Sequence, residues 1–262
     1  PYPPLPRCLK VYAWLAHHLA KEEGCRAVDI LQGSRTARKQ VRTALVMGLC
    51  YCYYARLAHA ARERYVCAIV RAWNQLQYAP AARRAVQSCA WLELNERGIA
   101  DLIYEVQLGF VRHMALGEGI ALNTALLENL FMILVSICNC IPIFVVGKPG
   151  SSKSLAMTLV QENLNGEASE NAFLRSFPAV EIFSYQCSPL STSTGIEQTF
   201  GAALRYKRQA PGVSVVVLLD EVGLAEQSPH MPLKVLHKEV STTRNPQAPH
   251  EIPDPRLNVQ AG

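Results

Sequence analysis

No Cys-x-x-Cys pair occurs in the 262 residues, although there are nine cysteines. The two close pairs, Cys50/Cys52 and Cys138/Cys140, are Cys-x-Cys, and no pair of histidines supplies a second half-site. A zinc site is therefore not expected. Most of the cysteines lie in apolar runs, the usual surroundings of buried, reduced thiols. The odd count and the lack of a signal-peptide pattern point to a reducing compartment, the cytosol. A stripe of basic residues interleaved with glycine and aromatics is also missing, so no nucleic-acid partner is expected. The net charge is +5, with 16 Lys and Arg against 10 Asp and Glu in residues 1–128 and 10 against 11 in residues 129–262. The excess is mostly arginine at helical spacing (Arg35, Arg38, Arg42; Arg62, Arg64; Arg83, Arg84), which reads as a solvated helix face. There is no uninterrupted apolar run long enough for a membrane. Residues 129–147 carry no charge, but Ser136, Asn139 and Pro142 interrupt them. A spanning helix needs about 20 apolar residues, and Pro142 would remove a bond from its middle. The better reading is a buried helix ending near Cys140 and then a buried strand, 143–146.

What is present divides at about residue 123. Residues 1–8 are proline-rich and read as a tether. From Cys8 to Leu116 apolar residues recur every three or four positions (Val11, Leu15, Leu19; Val41, Leu45, Leu49, Cys52), which predicts four to six helices. Breaks are expected at Gly24, Gly33–Ser34, Ala79–Pro80, Asn95–Gly98 and Gly117–Gly119. Nothing in this region has catalytic spacing, and His17, His18, His59 and His113 stand apart from carboxylates and cysteines. The fold class expected beyond it is α/β: a partial P-loop core with a parallel sheet, preceded by the all-helical region. The predicted order is helix 124–140, strand 143–146, a glycine loop, helix 153–164, strand 180–185, helix 195–209, strand 213–219 and helix 229–240. Alternating strand and helix implies a parallel sheet covered on both faces. The domains expected are 1–122, helical; 123–240, nucleotide-binding core; and 241–262, an irregular tail. The chain starts at Pro1 rather than Met, and is expected to be an internal stretch of a longer protein.

The loop carries the chemistry. Gly147-Lys148-Pro149-Gly150-Ser151-Ser152-Lys153-Ser154 fits G-x-x-x-x-G-K-[ST], except that Ser152 stands where the pattern has glycine. Such a loop turns backbone N–H groups inward at a helix N-terminus, where the dipole favours phosphate. Lys153 would contact the β- and γ-phosphates, and the Ser154 hydroxyl would ligate Mg²⁺. Together with Leu155 these residues form the expected ATP-binding set. Serine is small, but it disfavours the positive φ that glycine tolerates. Downstream, Val215-Val-Val-Leu-Leu-Asp220-Glu221 reads as a buried strand ending in two acids. Asp220 would hold Mg²⁺ through water, and Glu221 would act as general base on the attacking water. A strand that merely ends in a polar turn would not predict a P-loop upstream.

At these residues a resemblance appears. The stretches "IFVVGKPGSSKSL", "YQCSPLSTSTGIEQTF" and "SVVVLLDEVGLAEQSPHMPLKVLH" resemble the mysterin-type giant AAA+ RING E3 ubiquitin ligases, over about residues 120–238. Ser152 belongs to the same wording. More loosely, "NTALLENLFMILVSI" resembles the segment before one of that family's ATPase modules. The resemblance implies an ATP- and Mg²⁺-dependent AAA+ module with neighbouring AAA+ modules and the ubiquitin machinery as partners. It implies a cytoplasmic location, with association with lipid droplets and intracellular pathogens. No RING-type Cys/His pattern occurs in the chain. Near Lys238 the sequence departs from the family: a sensor strand, a further strand and a helical lid should follow. The missing fourth strand would lie between the P-loop strand and the Asp-Glu strand, so the edges of both are expected to stay unpaired. The stretch is expected not to hydrolyse ATP appreciably by itself. Two other readings stand beside this one. One is a non-enzymatic helical scaffold with a relic P-loop. The other is a P-loop kinase or GTPase, for which the acceptor site, lid and Asn-Lys-x-Asp motif are missing.

Overall fold

The computed structural model describes residues 4–22, 35–76, 96–148 and 150–236. The expected breaks at Gly24, Gly33–Ser34 and Ala79–Pro80, the tail 241–262 and Pro149 lie outside them. The chain divides into two compact units, Pro1–Ala179 and Val180–Gly262.

In the first unit the helical region supplies, among the described residues, α1 (Pro4–Glu22), α2 (Arg35–Cys52), α3 (His59–Leu76) and α4 (Glu96–Val111). Over residues 4–8 the expected tether is corrected, because α1 already runs from Pro4. Proline is tolerated in a first turn, where its missing N–H has no intrahelical acceptor. Val11, Leu15 and Leu19 of α1 are buried at the predicted spacing. In α2 the buried side is corrected: Cys52 is buried as expected, but Val41, Leu45 and Leu49 are half-buried, and Val46, Met47 and Cys50 face the core instead. α1 packs closely on α2 at Gly48, where an added Cβ would stand 3.1 Å from the Cys8 carbonyl. The turn between α2 and α3, with a 3-10 segment at Tyr54–Arg56, has no glycine or proline to announce it.

Helix α5 (Thr124–Cys138) starts at an N-cap: the Asn123 side chain accepts the Leu126 N–H at 2.8 Å. It ends two residues before the expected Cys140, which itself has φ +50°. Leu126, Leu127, Leu130, Phe131, Ile133, Leu134 and Val135 are all buried. Phe131 meets Phe110 of α4 edge-on at 5.7 Å, and Phe110 in turn stacks on Trp14 of α1 at 5.5 Å. Polar ties add to this packing. Tyr51 and Ser136 share a 2.8 Å hydroxyl bond, and Arg62 grips Glu128 through two bonds of 2.7 and 3.1 Å.

The buried strand expected at 143–146 is corrected. Residues 141–148 belong to no sheet, and Phe144 is 75% and Val146 92% exposed. A strand's backbone bonds come from a neighbour, and among the described residues these have none. Helix α6 (Lys153–Asn163) follows the loop, one residue shorter than predicted. Its last residue, Asn163, is buried and bonds both backbone groups of Ala115: Oδ1 accepts from N at 2.6 Å and Nδ2 donates to O at 3.1 Å.

The second unit is a parallel pair with its crossover helix. β1 (Val180–Gln186) and β2 (Ser214–Asp220) run in register from Val180↔Ser214 to Gln186↔Asp220. Both strands end one residue later than predicted. α7 (Ser193–Gln209) joins them, with Thr192 as N-cap. Its Tyr206 lies 5.7 Å from Phe183, and a Cβ on Gly195 would stand 2.8 Å from the Tyr185 hydroxyl. The start of the final helix expected at 229–240 is also corrected. A four-residue helix, α8 (Val222–Ala225), follows β2, and a 3-10 turn, Pro232–Val235, stands where the expected helix would begin. Pro229 and Pro232 stop a longer helix, and residues 237–240 lie outside the described set.

Candidate functional site

The loop and the acidic strand end belong to different units, and each has its own geometry. In the first unit the loop closes tightly. Ser151 donates its N–H to the Lys148 carbonyl at 3.1 Å. A Cβ on Gly147 would overlap Ser151 Oγ, so a larger residue there would have to displace that hydroxyl. Gly150 has φ +77° and Ser152 φ +59°, both left-handed. The sequence reading took Ser152 as disfavouring positive φ, yet the chain adopts it there. Lys153, the first residue of α6, folds its ammonium back over the loop, donating to the carbonyls of Gly147 at 2.8 Å and Lys148 at 3.1 Å. Ser154 is exposed and Leu155 half-buried, while Ala156 and Met157 of the same helix are buried. The helix is thereby anchored with its N-terminus and Ser154 hydroxyl outward.

These residues fit a phosphate ligand. An 11-residue helix offers its N-terminus, a lysine ammonium lies beside the loop carbonyls, and a glycine at 147 lets the backbone close. One residue that sequence reasoning missed belongs to the loop. Asn129 of α5 donates from Nδ2 to the Ser151 carbonyl at 2.9 Å. No spacing rule connects positions 22 residues apart.

In the second unit Asp220 is the last residue of β2, and its carbonyl accepts the Cys187 N–H at 3.0 Å. Its Oδ1 accepts the Glu221 N–H at 2.9 Å. Glu221 has φ +51° and ψ +41°. A non-glycine residue held there stores about 1 kcal/mol or more, a pattern that clusters at functional sites. Glu221 is exposed and Asp220 half-buried, so desolvation weighs on the pair less than a buried strand end implied. The loops after the two strands are tied together, with Ser228 Oγ donating to the Ser191 carbonyl at 2.8 Å. Burial, and then the charge of Asp220, pushes the neighbouring Cys187 thiol up.

The order of loop, parallel pair and acidic strand end is that of an AAA-type domain, and comparison with known proteins decides the family. The model for the RNF213 AAA domain matches residues 119–259. The chain belongs to this family. It is 38% identical over 254 residues to the E3 ubiquitin-protein ligase RNF213 of Homo sapiens, covering 94% of this chain and 4% of that protein. It is 39% identical over 239 residues to the Mus musculus protein of the same name, covering 88% and 4%. A third relative, E3 ubiquitin-protein ligase rnf213-beta of Danio rerio, is 36% identical over 203 residues, covering 76% and 4%. The chain thus spans about 4% of the length of the relatives it matches. The mysterin-type resemblance is borne out, but the match runs to residue 259, past Lys238 where a departure from the family was expected. Among the described residues, no helix is long and apolar enough to cross a membrane.

Proposed function

We propose that this stretch is the ATP-binding half of an AAA+ module within a ubiquitin-ligase-type protein. Residues 147–155 take the nucleotide phosphates, with Lys153 as the cation and Ser154 and Asp220 as the Mg²⁺-holding residues. Glu221 is the base that orients a water and accepts its proton in the intact, ATP-hydrolysing module. The module begins near residue 123, its neighbours in the longer protein are further AAA+ modules, and it works in the cytoplasm. The observation that carries the reading is the loop: a lysine ammonium against the loop carbonyls, at the N-terminus of α6, with Ser152 left-handed. The segment 141–148, which belongs to no sheet among the described residues, supports the further reading that the stretch turns over little ATP unaided.

Labelled-ATP binding with and without Mg²⁺ tests this on the full chain. Binding by wild type, strengthened by Mg²⁺ and lost in Lys153→Ala, is the expected result. Equal signals from the two proteins would instead favour a relic loop on a helical scaffold. Strong turnover by the 262-residue chain, abolished by Glu221→Gln, would contradict the second part of the proposal.

A further inference from the structure

Two features of the loop call for a joint explanation. Ser152 is not glycine, yet it sits in the left-handed region, at φ +59° and ψ +25°. A residue with a Cβ is disfavoured there. The carbonyl just before it, that of Ser151, accepts a 2.9 Å bond from Asn129 Nδ2. A planar trans peptide points its C=O and the following N–H in opposite directions, and no cis bond occurs among the described residues. Fixing the Ser151 carbonyl on α5 therefore fixes the Ser152 N–H toward the side away from α5. The peptide flip that would return Ser152 to an ordinary φ breaks the Asn129 bond.

The donor is itself well held. Asn129 is half-buried on a helix whose neighbouring Leu130 and Phe131 are buried, and whose Glu128 is gripped by Arg62 at 2.7 and 3.1 Å. We infer that Asn129 is a positioning residue of the phosphate loop. From α5 its amide imposes on Ser152 the backbone orientation that a glycine would adopt unaided. The inference rests on the P-loop reading above. It assigns to a residue outside the motif the part of the loop's shape that the motif's missing glycine leaves open.

The test is a double-mutant cycle on the full chain: wild type, Asn129→Ala, Ser152→Gly and the double variant, with Lys153→Ala as control. Two quantities are read: affinity for a fluorescent ATP analogue with Mg²⁺, and amide exchange of residues 150–156 without nucleotide. Asn129→Ala is expected to weaken binding about 3- to 10-fold, the range of one lost hydrogen bond. It should also speed exchange in the loop while leaving α5 protected. Against Ser152→Gly the same substitution should cost less than about twofold. An equal loss in both backgrounds, or unchanged loop exchange, would overturn the inference. Failure of the P-loop reading has a different signature. Wild type and Lys153→Ala would then bind alike, and the exchange rates alone would decide whether Asn129 orders the loop.

Discussion

Helix Thr124–Cys138 and the six residues 141–146 that follow it are both apolar, and they end in opposite states. The first is a capped helix with most of its large side chains buried. The second belongs to no sheet, with Phe144 and Val146 largely in solvent. The difference is where each finds its backbone hydrogen bonds. A helix closes them within itself, so an apolar stripe and a capping asparagine are enough. A strand borrows them from a neighbour. Apolar, β-branched sequence therefore announces an extended conformation, while pairing depends on residues elsewhere.

Four variants break or sharpen that comparison. Leu134→Ala, at a fully buried position of α5, should cost about 2–5 kcal/mol in urea unfolding. A loss below about 1 kcal/mol would mean that α5 is not a core helix. Asn123→Ala removes the 2.8 Å cap bond to Leu126 and should cost about 1 kcal/mol in the same measurement. Arg62→Ala frees Glu128 and lifts a guanidinium lying 4.8 Å from the Tyr54 ring. With the pair about a fifth exposed, the loss should be about 0.5–1 kcal/mol, smaller at high salt. The double change Phe144→Ser and Val146→Ser should move stability by less than about 0.5 kcal/mol and raise solubility. A loss as large as that of Leu134→Ala would show 141–146 to be covered after all.

Much of the fold was legible because its signals are local. Val11, Leu15 and Leu19 announced the buried side of α1, and the apolar run 215–219 announced β2 to within a residue. Three misreadings share one cause, that the deciding factor was not in the window read. Pro4 and Pro6 looked like part of a tether but sit in the first turn of α1. Residues 143–146 needed a partner. Residues 229–240 looked helical, but Pro229 and Pro232 leave only a short 3-10 turn over 232–235. For the candidate site, the motif marked Lys153, Ser154, Asp220 and Glu221, since phosphate and metal chemistry constrain residue type at fixed spacing. It could not mark Asn129 or the tie between Ser191 and Ser228, because side-chain bonds across 22 and 37 positions leave no periodic trace. Nor did it reveal the left-handed backbone of Glu221, which depends on local geometry rather than residue type.

Asn163 gives α6 a second use. By bonding both the N–H and the C=O of Ala115, its amide imitates one rung of a β-ladder and fixes the register of the connection into α5. Lys153 stands at the other end of the same helix, roughly 15 Å away at 1.5 Å per residue. The helix is therefore a strut pinned at both ends. A tilt imposed at the phosphate end must either move Ala115 with it or break that rung, which makes the Ala115 amide a natural gauge of strain in the loop.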